Sequence, residues 1–222
     1  MKPSLPVLLS VNGGYVDTAG YLALQGLFTS HVTGNFVTLG AALVLGTSGI
    51  LAKLLALPVF CVVILVTRLL APALPRLGLP VLRTMLRLKL ILLVAAAAMA
   101  IWIGPVRDAG QPAAIVTGML LVSAMAIQNA ISRIHLGTAP PTTLMTGTTT
   151  QIMLDLADQI YPRVGTAAPA GSRLARLSIN VVVFAVGCGA AALLFMRLGV
   201  WCFVVPPLLA VVPLLMDATK ES

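Results

Sequence analysis

The longest uncharged stretch runs from Thr18 to Ala52, 35 residues between Asp17 and Lys53 without a formal charge. Water cannot wet such a stretch as the surface of a soluble domain, and it is far too long to be one buried strand. Further uncharged runs cover Ile91–Val106, Ala109–Ser132, Ile134–Leu154, Leu177–Met196 and Leu198–Met216. About 20 apolar residues span a hydrocarbon core of about 30 Å, so these runs predict membrane helices. Composition points the same way: 9% of the residues are charged, where a soluble domain carries roughly a quarter. The expected fold is all-α, a polytopic membrane helix bundle forming one integral membrane domain over residues 1–222.

Several function classes drop out at once. Six spans of about 20 residues leave no room for a soluble catalytic domain. The net charge of +8 comes from lysines and arginines scattered over membrane-flanking segments without aromatic interleaving, the pattern of cytoplasmic loops, so nucleic acid is not an expected partner. Cys61, Cys188 and Cys202 lie inside apolar runs with no Cys-x-x-Cys spacing. They read as small buried hydrophobes, and neither a disulfide framework, a metal nor a cofactor is expected. Gly-x-Ser-x-Gly, His-Glu-x-x-His and the phosphate loop are missing, and Asp17, Asp155, Asp158, His31 and His135 are a thin supply for catalysis. The chain is not expected to be an enzyme. Lys2 followed by Leu5–Val11 superficially resembles a signal peptide, but Asn12-Gly13-Gly14-Tyr15-Val16-Asp17 interrupts the run and no Ala-x-Ala-like site follows. The segment reads as an uncleaved first helix.

An internal repeat organises the chain. His31-Val32-Thr33-Gly34-Asn35 is echoed by Leu144-Met145-Thr146-Gly147-Thr148 at an offset of 113 residues, almost half the length. Each half reads as a long helix with a polar interruption, a short Thr-Gly segment, and two further long helices. The first repeat, about 5–104, predicts helices near 5–28, 54–71 and 86–104 with a short segment at 34–46. The second, about 112–216, predicts 112–134, 177–197 and 199–216 with a short segment at 147–158. Gly46-Thr47-Ser48-Gly49, Gly104-Pro105 and Pro162 to Ser172 are the punctuation between them.

Thirteen helical residues reach only about 20 Å, too short for a comfortable crossing. Were all eight elements to cross, the 14 Lys and Arg would split evenly; if the two short segments do not cross, they split 11 to 3. The positive-inside rule favours the second case: six spans plus two half-helices, two inverted repeats, a multi-pass protein with both termini cytoplasmic. Segments 72–85 and 160–176 then face the cytoplasm and 105–111 the periplasm.

The polar residues inside the apolar runs are the candidate site. Asp17 is the only carboxylate well inside such a run, and an intramembrane acid costs roughly 2.5–3.5 kcal/mol on insertion scales. It reads either as a proton- or cation-coupling group or as a structural acid holding the fold together. Asn12, Gly13 and Gly14 read as a helix break lining a cavity, or as close helix packing. A half-helix starting at Gly34 or Gly147 would point open amides at the bilayer centre, with Thr33, Asn35, Thr146, Thr148 and Thr149 adding polar contacts; the alternative is that these small residues only pack helices. Pro140-Pro141-Thr142-Thr143 leads into the second short segment, and His31 reads as an ionisable site group or as an interface residue. Gln128 and Asn129 are a second polar site or interhelical glue. Trp102 and Trp201 near the run ends read as interfacial anchors.

Asn12-Gly13-Gly14-Tyr15-Val16-Asp17, Phe28, Thr33-Gly34-Asn35-Phe36-Val37-Thr38-Leu39-Gly40, Ala126-Ile127-Gln128-Asn129-Ala130 and Thr146-Gly147-Thr148 together resemble the YoaK-like bacterial membrane proteins (domain of unknown function 1275). The resemblance runs in order along essentially the whole chain, with Ala126 standing where the family usually has glycine. It implies a bacterial inner-membrane protein of six or seven spans with no established activity. The leading functional expectation is a small-solute or ion transporter or channel whose pathway runs between the halves. The alternatives are a non-transporting scaffold or assembly protein and a membrane-embedded enzyme. Membrane lipids and a small solute or ion are the expected partners, with a homo-oligomer left open.

Overall fold

The computed structural model describes residues 4–137, 139–161 and 171–218. Among them the regular structure is helical: α1 (Leu5–Ala23), α2 (Gly34–Leu45), α3 (Ile50–Leu70), α4 (Val81–Ile103), α5 (Pro112–His135), α6 (Met145–Ile160), α7 (Gly171–Leu198) and α8 (Val205–Ala218), with short 3₁₀ turns at Pro75–Leu77 and Gly199–Val204. Four stretches are long and apolar enough to cross a membrane: α3, α4, α5 and the continuous Gly171–Met216. The protein is an all-helical bundle of membrane type.

The first helix does not reach that threshold, and the reason is its place. Asn12, Asp17 and three glycines lower its hydropathy, and these are the residues it buries. Small and polar side chains pack the centre together with Leu9, Tyr15 and Val16. The peripheral α3 shows the reverse, burying only Ala52, Lys53 and Ala56 and exposing Leu54, Val62, Leu65 and Leu69. In a bilayer that outward apolar belt is the expected finish, since lipid tails are as apolar as leucine.

The helix α1 packs against α7 through two glycines. A Cβ on Gly14 would collide with the Phe184 carbonyl, and one on Gly187 with the Val11 carbonyl. Each helix thus lies in the groove the other's glycine leaves. Tyr15 donates to the Cys202 carbonyl (2.9 Å) and Asn12 to the Pro206 carbonyl (2.9 Å), seating α1 against the start of α8. The helix runs unbroken through Asn12-Gly13-Gly14, so the expected break is corrected: the glycines remove side chains at close approaches and leave the backbone ladder intact.

Element ends differ from the sequence reading where charge or irregular backbone misled it. The first helix stops at Ala23, before the expected 28, because Gln25 (φ 52°) and Gly26 (φ 87°) turn the chain back. Helix α4 begins at Val81, before the expected 86, carrying Arg83, Arg87 and Lys89 in helical conformation. Helix α3 starts at Ile50, before the expected 54, α6 spans 145–160 against the expected 147–158, α7 begins at Gly171, before 177, and α8 follows a 3₁₀ turn. Of the expected loop at 160–176, residues 162–170 lie outside the described residues.

The short helix α2 ends near where its neighbours' connections lie. Gln25 donates to the Arg107 carbonyl (2.9 Å) and accepts from the Ser48 hydroxyl, whose oxygen accepts the Ala109 N–H (3.0 Å). The end of α1, the α2–α3 turn and the α4–α5 connection therefore meet at one end of the bundle. At the start of α7, Arg173 pairs with Asp155 of α6 (3.4 Å).

Candidate functional site

Leu24–Thr33, between α1 and α2, folds back along α1 and is held there by Asp17. One carboxylate oxygen accepts the N–H groups of Thr29 (2.7 Å) and Ser30 (2.8 Å) and the Thr29 hydroxyl (3.2 Å). The other lies 2.6 Å from His31 Nδ1. Asp17 is 5% exposed, and with four partners it is a clamp for the loop. Asn35 adds a second brace, accepting the Phe28 N–H (2.9 Å) and donating to the Phe28 carbonyl (2.8 Å).

The second half repeats the device with different chemistry. At the offset of 113, Thr29 and Ser30 correspond to Thr142 and Thr143. Those two residues are gripped by the helix that precedes them: Gln128 donates to the Thr142 hydroxyl (3.2 Å), and the Asn129 carbonyl accepts the Thr143 hydroxyl (2.8 Å). Gln128 also donates to the Leu9 carbonyl (2.8 Å) and accepts from Lys89 (2.6 Å). Asn180 of α7 accepts from Ser10 (2.5 Å) and donates to the Pro141 carbonyl (2.6 Å). A Cβ on Gly13 would sit 2.8 Å from the Thr142 carbonyl, so the first glycine makes room for the second loop.

Two cavities flank the place where these loops meet. One, about 670 Å³, lies along α1 and α7 and is lined by Asp17, His31, Thr33, Gly34, Leu144 and Thr146 among others. The other, about 680 Å³, lies along α3 and α5, lined by Ser30, Thr33, Arg68, Asn129, Arg133 and Leu144 among others. Thr33 and Leu144 are the residues common to both walls.

Several expectations change at this resolution of contact. Thr33, Gly34 and Thr146 do share one cavity with Asp17. Gly147 and Thr148 line neither cavity, and Thr148 is buried with a hydroxyl that has no partner. Asn35 and Gln128 are 1% and 0% exposed, their side chains committed to internal bonds. The open amides expected at the start of α2 are closed: the N–H groups of Gly34, Asn35 and Phe36 reach the carbonyls of His31, Val32 and Thr33 (2.8, 3.2 and 3.2 Å).

Lys89 was legible only as a charge flanking the membrane, and this too is corrected. It is 1% exposed inside α4. The signal was its phase, since Met85, Lys89, Leu93, Ala96 and Ala100 recur at the spacing of one buried helix face. Leu144, Phe184 and Cys188, all cavity-lining, carry no polar letter by which sequence could single them out.

No curated protein and no solved structure matches this chain. The family model described as "Protein of unknown function (DUF1275)" matches residues 5–216. With all but the first few and last few residues inside that match, the chain belongs to the DUF1275 family.

Proposed function

We propose that the protein is a small-solute or ion transporter or channel of the bacterial inner membrane, with its pathway between two inverted repeats. The observation that carries this reading is a pair of cavities whose walls share Thr33 and Leu144. A substrate moving from one to the other must pass those two side chains, one from each clamped loop.

The inverted arrangement is supported by an exchange of partners. One cavity lies between α1 and α7 and the other between α5 and α3, so swapping the halves exchanges the two. Asp17 and Tyr21 line the first; at the offset of 113 their counterparts Ala130 and Ile134 line the second. In this reading α2 and α6, 12 and 16 residues long, re-enter from opposite faces and return to them, leaving six crossings and cytoplasmic termini. Withdrawing the buried Lys89 from the cytoplasmic count and the buried Lys53 from the other leaves a bias of ten to two, still strongly positive inside.

The test is flux. Protein reconstituted into vesicles and screened over ions and small metabolites should move at least one of them, and in a Thr33→Cys/Leu144→Cys variant lacking the native cysteines a short thiol cross-linker should stop it. A crosslinked protein that conducts as before rejects this pathway. A second reading, a non-transporting membrane scaffold, draws on one observation: Asp17, Asn35, Gln128 and Asn129 are all engaged in internal hydrogen bonds. On that reading no solute flux rises above that of empty vesicles.

A further inference from the structure

One lining group of the α3–α5 cavity is unmatched. Ser30 gives its N–H to Asp17 (2.8 Å), but its hydroxyl, in a residue 3% exposed, has no partner. A buried hydroxyl left alone costs free energy, so nearly all find a partner, and one within the wall of a cavity points to a ligand. At the other end of the same cavity stand two arginines. Arg68 lies two residues before the end of α3 and Arg133 two before the end of α5. Both helices start from the end joined through Ser48 and Ala109, so they run the same way and bring both guanidinium groups to one mouth. No carboxylate lines this cavity among the described residues. Cations in last turns complement helix dipoles, which accounts for each arginine singly but not for the unpartnered hydroxyl in the same wall.

The depth between these groups sets a length. Leu9, near the start of α1, meets Gln128, near the end of α5, so those two helix ends lie level. Ser30 is held at Asp17, eight residues beyond Leu9 on α1, and Arg133 lies five residues beyond Gln128 on the antiparallel α5, so about 20 Å separates the two levels at 1.5 Å per residue. Leu57, Phe60 and Ile64 line the interval. After the reach of the arginine side chains, roughly 10 Å of apolar wall separates the two polar ends.

We propose that this cavity binds a water-soluble amphipathic organic anion: a carboxylate or phosphate head at Arg68 and Arg133, an apolar body along α3, and a hydroxyl or carbonyl at the far end bonded to Ser30. A bare inorganic ion would leave most of about 680 Å³ of apolar-walled space unfilled, and that volume suits a ligand of drug-like size. A lipid headgroup entering sideways would satisfy the arginines and leave Ser30 unmet. As the transported substrate, the anion rests on the transport reading; as a bound ligand it does not.

Cys61 lines this cavity and Cys188 the other, so the native thiols report occupancy of each. In nanodiscs of zwitterionic lipid, N-ethylmaleimide labelling is followed at the Cys61 and Cys188 peptides. Octanoate should slow Cys61 and not Cys188, 8-hydroxyoctanoate should do so at lower concentration, and octanamide and octylammonium should not. Replacing either arginine (Arg68→Gln or Arg133→Gln) should raise the half-protecting concentration by about tenfold, the factor of one lost charge-assisted contact. Ser30→Ala, which removes no internal bond of the hydroxyl, should erase the preference for the hydroxy acid and keep the response to octanoate. Equal protection by acid, amide and amine, or none, overturns the proposal, and protection by added phosphatidylglycerol alone overturns it in favour of a boundary lipid. Charge-selective protection without vesicle flux leaves the anion site standing and removes the transport reading; flux of other solutes without protection does the reverse.

Discussion

At the scale of single residues, Asp17 decides how the first loop is held. Four donors converge on its carboxylate, two of them backbone N–H groups that have no other acceptor in view. Truncating it to alanine strands buried donors and His31, which should cost roughly 3 kcal/mol or more. Asp17→Asn keeps one oxygen for Thr29 and Ser30, and its amide can donate to a neutral His31. Melting temperatures in detergent should therefore fall in the order wild type, Asp17→Asn, Asp17→Ala. An Asn variant that melts like wild type yet loses pH-coupled flux would instead make Asp17 a coupling group. The residue was legible in the sequence as an acid in an apolar run, but its partners were not. Half of them are backbone amides, which have no letter, and all lie in a loop 12 to 14 residues later whose direction depends on a residue with positive φ at Gln25. Likewise Asn35 and Gln128 were legible as polar but their partners were not, because hydrogen bonds to a carbonyl or to a lysine on another helix leave no pattern along the chain.

At the scale of elements, the α1–α7 crossing depends on two absent side chains. Alanine at Gly14 or Gly187 drives a Cβ into backbone carbonyl of the facing helix, and carbonyls of a regular helix cannot step aside without the whole helix moving. Each substitution should destabilise by roughly 1–3 kcal/mol, and the double variant should lose less than the sum, since one separation of the helices relieves both clashes. Thermal unfolding of the three variants checks this; additive losses would mean the two contacts are independent. Gly40 and Gly189, with open space around them, are the controls and should tolerate alanine. Element type was readable from uncharged length alone, and the shortness of α2 and α6 marked them as unusual. Helix starts were less readable, because α4 and α7 extend beyond the apolar core through arginines and lysine that hydropathy treats as loop.

At the scale of the whole molecule, the two cavities make opposite claims about access. The α3–α5 cavity ends at Arg68 and Arg133, in last turns that the proposed topology puts on the cytoplasmic side. The α1–α7 cavity lies along Tyr21 and Leu22, toward the end of α1 that meets Arg107 and Ala109. With Thr33 and Leu144 between them, a water-borne reagent entering one should not reach the other. Cys61 and Cys188 stand in the respective walls, while Cys202 is buried. A charged, membrane-impermeant thiol reagent applied to inside-out vesicles should modify Cys61 and spare Cys188, and right-side-out vesicles should give the opposite pattern. Cys202 should resist in both, reporting that the bundle stays folded. Modification of both cysteines from one face would mean a continuous channel or a different number of crossings. Modification of neither from its assigned face would mean that the cavities open to lipid, and the pathway between the halves would have to be abandoned.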